Sequence, residues 1–98
     1  MNVHLSAEAE ADLEAIGDDI ARDNPRRALS FVQDLRAKCL ALADMPQGFP
    51  LVPRYERHGI RRRVDGNYLI FYRIKNEMVV VLHVLHGAMD YEAILFPS

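Results

Sequence analysis

IRRRVDGNYLIFYRIKNEMVVVLHVL, residues 60–85, is the stretch that decides the fold. Tyr68 to Ile74 is rich in aromatic and β-branched residues, as are Val79 to Val84; such side chains fit the pleated, half-buried surface of a sheet. Asp65-Gly66 is a strong hairpin signal, because a tight two-residue turn needs positive φ. Lys75-Asn76-Glu77 makes a second short connection. Short connections force antiparallel pairing, so Ile60 to Val64, Tyr68 to Ile74 and Met78 to Leu85 are expected as a three-stranded meander. His86-Gly87 breaks the last strand, and Asp90 to Phe96 leaves room for one terminal helical turn.

Upstream the period changes from two to 3.6. Ser6 is a good N-cap, its hydroxyl able to accept from a free N–H of the first turn. Ala9, Leu13, Ile16 and Ile20 then recur at spacings of four, three and four, one stripe of an amphipathic helix. Asn24-Pro25 starts a second helix, with a capping Asn and a proline where no N–H is needed. Its stripe is Ala28, Phe31, Val32, Leu35, Cys39 and Leu42, and Met45-Pro46 ends it. Two helices joined by about four residues pack as an antiparallel hairpin. Val3-His4-Leu5 is a short strand ahead of them. Pro46 to His58, with Pro46, Gly48, Pro50 and Pro53, reads as an irregular loop.

The fold class is therefore α+β: a short N-terminal strand and a helical hairpin packed on a C-terminal antiparallel meander, in the order β-α-α-β-β-β. With 98 residues the chain, 1–98, is expected to be one domain. Only the helical hairpin is available to cover the sheet. On that basis Ile60 and Val64 should face the helices, with Arg62 beside them at the rim.

Half of the residues are hydrophobic and 27% charged, the balance of a globular chain. The longest apolar run, Met78 to Leu82, cannot cross a bilayer, and acids from Glu8 onward do not suit a signal peptide. A cytoplasmic location with no membrane association is expected. Cys39 is the single cysteine, which excludes an internal disulfide and a cysteine-built metal site; it is expected as a small buried core residue. His83 and His86 are an odd number apart and do not form a metal pair on a regular strand. No metal or other cofactor is expected.

The net charge of −2 conceals an asymmetry. Residues 1–24 hold seven acids against Arg22, whereas residues 54–75 hold seven bases against Glu56 and Asp65. Such a chain can offer a cationic surface and stay soluble. Arg61, Arg62 and Arg63 either protect an edge strand from aggregation or receive an anionic partner through bidentate hydrogen bonds. Arg54 and Arg57 add to the second possibility.

NYLIFYR at 67–73 and VVVLHVLHGA at 79–88 resemble the ParE/RelE superfamily of toxins from bacterial type II toxin–antitoxin pairs, closest to its ParE branch. Leu5-Ser6, Ala9, Asp12, Leu13, Ile16, Pro25, Ala28, Phe31, Leu42-Ala43 and Pro46 match it in order. The resemblance implies a helical hairpin on an antiparallel sheet, and a ParD-like antitoxin whose flexible part folds along the toxin in a hetero-oligomer. It implies one of two activities: binding inhibition of DNA gyrase, as in ParE-like members, or cleavage of messenger RNA on the ribosome, as in RelE-like members. Two arginines and a C-terminal tyrosine of the ribonuclease set fall on Leu69, Met89 and Leu95, which can neither hold phosphate nor move a proton. The expectation is gyrase inhibition, with no catalytic residue and no direct nucleic-acid binding. The alternatives are a ribonuclease with a rearranged site (Arg61, Arg63, Arg73, His86) and a decayed toxin that only binds antitoxin; Met89, where HGARD has arginine, leaves that last alternative open. The effector surface is expected at Arg61, Arg62, Arg63, Arg73, His83 and His86. Antitoxin is expected at Leu13, Ile16, Phe31, Leu35, Arg54 and Arg57.

Overall fold

The computed structural model describes residues 1–97. Its elements are β1 (Asn2–Leu5), α1 (Ala7–Ala21), α2 (Pro25–Leu40), β2 (Arg61–Asp65), β3 (Tyr68–Lys75), β4 (Met78–His86) and α3 (Tyr91–Leu95). The Ser6 hydroxyl accepts from the Ala9 N–H at 3.0 Å and donates to the Leu82 carbonyl at 2.9 Å. One residue thus starts α1 and docks it on the sheet. Asn24 caps α2 by accepting from the Arg27 N–H at 3.1 Å. A 3-10 turn, Ala41–Ala43, carries α2 toward Pro46.

The strand order is β1-β4-β3-β2. β2, β3 and β4 form the antiparallel meander, while β1 runs parallel to β4, so the sheet is mixed. Gly66 at φ 57° opens the first turn; Asn76 and Glu77 at φ 51° and 60° form the second. The ladder slips at Phe71/Tyr72, opposite Leu82 and His83, so β4 carries a bulge in mid-strand.

The sheet has a core on each face. Ile70, Tyr72, Val79, Val81 and Val84 meet Ala9, Leu13, Leu35, Cys39 and Leu42 from the helical side. On the other face Leu69, Phe71 and Leu85 are buried with Val52 and Ile60, beneath Tyr55, Tyr91, Leu95 and Phe96. This second core corrects the expectation that the helices alone cover the sheet. Ile60 belongs to it, facing away from the helices, and Val64 is 62% exposed. Ile60 and Val64 share a face, as the alternation predicts, but it is the face away from the helices, and only Ile60 is covered there.

Residues 46–58 are more ordered than an irregular loop. The Val52 N–H donates to Ile60 O and the Arg62 N–H to Pro50 O, both at 2.9 Å, so residues 50–52 line the outer edge of β2. Prolines flank this pairing at Pro50 and Pro53, which hides it from any periodicity test. A 3-10 turn follows at Glu56–His58.

Candidate functional surfaces on the sheet and beside it

The register places Arg61 and Arg63 opposite Tyr72 and Ile70, on the helical face, and Arg62 opposite Phe71, on the other. All three are tethers. Arg61 Nη1 donates to Phe49 O at 2.7 Å, and Arg63 Nη1 donates to Lys38 O at 3.1 Å. The Arg63 guanidinium also lies 5.0 Å from the centre of the Phe49 ring. It therefore binds the last turn of α2, where carbonyls lack helical partners and positive charge is favoured. Arg62 Nη1 donates to the Tyr91 hydroxyl at 3.0 Å, tying α3 down. Arg54 is held by Glu92 at 3.1 and 3.2 Å, and Tyr55 donates to the same carboxylate at 3.2 Å. The basic run mostly fastens the protein to itself. Arg57 and Arg73 are exposed and have no ion pair among the described residues.

At the β4 bulge, sequence and fold meet differently. β1 ends at Leu5, paired with Val81, so the β4 edge beyond Val81 has lost its neighbouring strand. α1 replaces it. The Ser6 N–H donates to Val81 O at 2.9 Å, and Asp12 Oδ2 accepts from the Val84 N–H at 2.9 Å. The same oxygen lies 2.8 Å from His83 Nδ1. A carboxylate can only accept, so Nδ1 carries the proton. Nothing in the sequence reading gave Asp12 this docking role. The available signal was its position three residues after buried Ala9, at the border of the apolar stripe.

His86 is exposed and sits at the strand exit. Its Nδ1 accepts from the Ala88 N–H at 3.0 Å, and its ring lies edge-on to Tyr68 with centroids 5.2 Å apart. Tyr68 in turn meets Phe31 edge-on at 5.4 Å. Two clefts share Tyr68. One of about 330 Å³ runs past Ile16, Asp19, His86 and Met89. The other, about 400 Å³, runs past Ile20, Phe31, Lys38 and Asp65. Together they make a groove with an apolar floor and mixed charges on its banks. Burial, then the charge of Asp19, pushes the Tyr68 phenol above its ordinary pKa.

Ile16 and Phe31 reach this groove half-buried, whereas Leu13 and Leu35 are each 1% exposed and belong to the core. The structure therefore brings together Ile16, Phe31 and His86, and leaves Arg54, Arg57 and Arg73 away from them. Cys39 is fully buried, and its burial raises the thiol pKa to about 11. Among the described residues there is no cluster of three potential metal ligands, and no helix is long and apolar enough to cross a membrane.

The fold, a helical hairpin on a mixed four-stranded sheet, is similar to that of solved toxin–antitoxin structures. One is the chromosomal ParDE system from P. aeruginosa: TM-score 0.76, 26% identity, covering 88% of this chain and 95% of that one. Another is the RelBE2 toxin–antitoxin complex from Mycobacterium tuberculosis: TM-score 0.59, 26% identity, covering 90% and 92%. No curated protein matches the sequence. Residues 3–91 match the ParE toxin of the type II toxin-antitoxin system, parDE. The chain belongs to this family, and is a toxin of the ParE/RelE superfamily.

Proposed function

We propose that this toxin acts in the cytoplasm by binding and inhibiting DNA gyrase, and that a ParD-like antitoxin neutralises it. The observation that carries the gyrase reading is the state of the three positions where RelE-like relatives are expected to hold catalytic groups. Leu69 is buried in the second core, Leu95 packs against that core, and Met89 is an exposed thioether. The rearranged ribonuclease site finds no support either. Arg61, Arg63 and His86 lie on the helix-bearing side of the sheet and Arg73 on the other, so the four cannot converge on one phosphate.

The groove across Tyr68 is where an antitoxin helix fits best, its apolar side on Ile16, Ile20 and Phe31. Purified toxin titrated into a gyrase supercoiling assay is the test. Inhibition without cleavage of added messenger RNA on ribosomes is the expected outcome. Unchanged supercoiling at a large molar excess of toxin would refute the proposal.

A further inference from the structure

The second face of the sheet is covered over only half its length. Leu69, Phe71 and Leu85 are buried, but farther along the same face Arg73 and Lys75 are exposed. Direct pairing fixes what stands beside them. Arg73 is opposite Val80 and Lys75 opposite Met78, while His4 and Asn2 of β1 pair with those same two residues. Residues paired this way project to one side. The open half-face thus has Val80 and Met78 at its centre, with a guanidinium and an ammonium along one flank and an imidazole on the other. Arg73 also borders a cleft of about 190 Å³ with Leu82, His83, Ile94 and Leu95, which extends the apolar surface toward α3.

The contrast with the arginine strand is informative. Arg61, Arg62 and Arg63 spend their hydrogen bonds on Phe49, Lys38 and Tyr91, whereas Arg73 and Lys75 have no ion pair among the described residues. We propose that this half-face is the surface with which the toxin engages its target, and that the target supplies a protein segment whose carboxylates meet Arg73 and Lys75 while its apolar side chains cover Val80 and Met78. This rests on the toxin reading above and names its working surface. The observations favour a protein over a nucleic acid. Two bases and a histidine are too few for a phosphate track, which needs several cations in succession. Glu8 also lines the cleft, where a polyanion would meet it.

The test is the double charge reversal Arg73→Glu with Lys75→Glu, in the full chain, followed by growth arrest after induction, soluble abundance and melting temperature, and gyrase supercoiling. Both side chains are exposed, so abundance and melting should stay as in the wild type. Growth arrest should disappear, and inhibition of gyrase should weaken roughly tenfold or more, with wild-type inhibition itself declining as salt is raised. A double variant that arrests growth as the wild type does overturns the inference, even if gyrase proves to be the target. If the wild type arrests growth and leaves gyrase untouched while the double variant is inert, the surface stands and the gyrase reading falls. A wild type that arrests nothing overturns the inference, since a harmless chain has no effector surface. Gel retardation of 30-base DNA or RNA by the wild type at physiological salt, lost in the double variant, overturns the choice of a protein partner.

Discussion

The two faces of the sheet are built from the same kind of strand and are covered in different ways. One carries α1 and α2, with Leu13, Leu35 and Tyr72 among its fully buried side chains. The other is half covered by residues 50–60 and the five-residue α3, and half open around Val80. Two long amphipathic helices bury much apolar area for each residue they order. A short loop and a single helical turn are fastened with individual side-chain contacts instead: the polar pairs Arg62 to Tyr91 and Arg54 to Glu92, and the Tyr55–Phe96 stack at 3.9 Å. The helical face holds the larger of the two buried cores. The other face can spare surface for a partner.

That division can be broken by mutation, and the largest effect should come from the helical core. Leu35→Ala leaves a cavity under the sheet and should cost about 2–5 kcal/mol of unfolding free energy in urea. A loss below 1 kcal/mol would mean that the helices are not the main source of stability. The next effect is a pH dependence on the same side. The Cys39 thiol ionises near 9.0 in an unfolded chain and near 11 in the fold. The unfolded chain therefore releases its proton first. Stability is intact below pH 9 and falls as pH rises toward 11, by about 3 kcal/mol at most. Burial moves the Tyr72 and Tyr68 phenols the same way, adding to the loss at still higher pH. In Cys39→Ala the slope between pH 9 and 10 should flatten; equal slopes would show that the thiol is not protected.

A smaller loss is expected for Arg63→Met, which keeps an unbranched apolar stem and removes the guanidinium with its bond to Lys38 O. It should destabilise by about 1–2 kcal/mol while leaving growth arrest intact in cells where the protein accumulates. Arrest lost at full abundance would return Arg63 to the effector surface. The smallest effect should follow Glu92→Gln, which weakens the fastening of α3. Melting should barely change, while amide hydrogen exchange quickens at Val52 and Arg62, whose N–H groups pair the outer edge of β2, and stays as it was at Ile70 and Val81. Equal quickening on both faces would contradict their independence.

Much of this architecture is legible in the residues. The 3.6-residue stripes, Ser6, Asn24-Pro25 and the turn residues between strands all act locally, so their consequences can be read from neighbours in the chain. What was missed depends on partners far away. Ile60 and Val64 alternate as expected, but which side is buried is decided by Val52 and Leu95, not by the strand. The bulge opposite Phe71/Tyr72 lies where α1 replaces β1 along β4, through contacts between residues 71 and 72 positions apart. Arg61 to Arg63 resemble a binding surface in sequence because their acceptors are distant: carbonyls 12 and 25 residues upstream for Arg61 and Arg63, and the Tyr91 hydroxyl 29 residues downstream for Arg62. Arg73, by contrast, is exposed and has no ion pair among the described residues. Its companion Lys75 reads in the sequence as a turn residue, because its pairing with Met78, beside Arg73 and Val80, cannot be seen in one strand.

One measurement tests the division of faces most directly: a scan of all single substitutions, scored in parallel for soluble abundance and for growth arrest. Changes at Leu13, Leu35, Ile70, Tyr72 and Val81 should lose both together. Charge-reversing or bulky changes at Arg73, Lys75 and Val80 should lose arrest while abundance is kept. Full arrest after the charge-reversing or bulky changes at those three positions, or loss of abundance with them, would contradict that division.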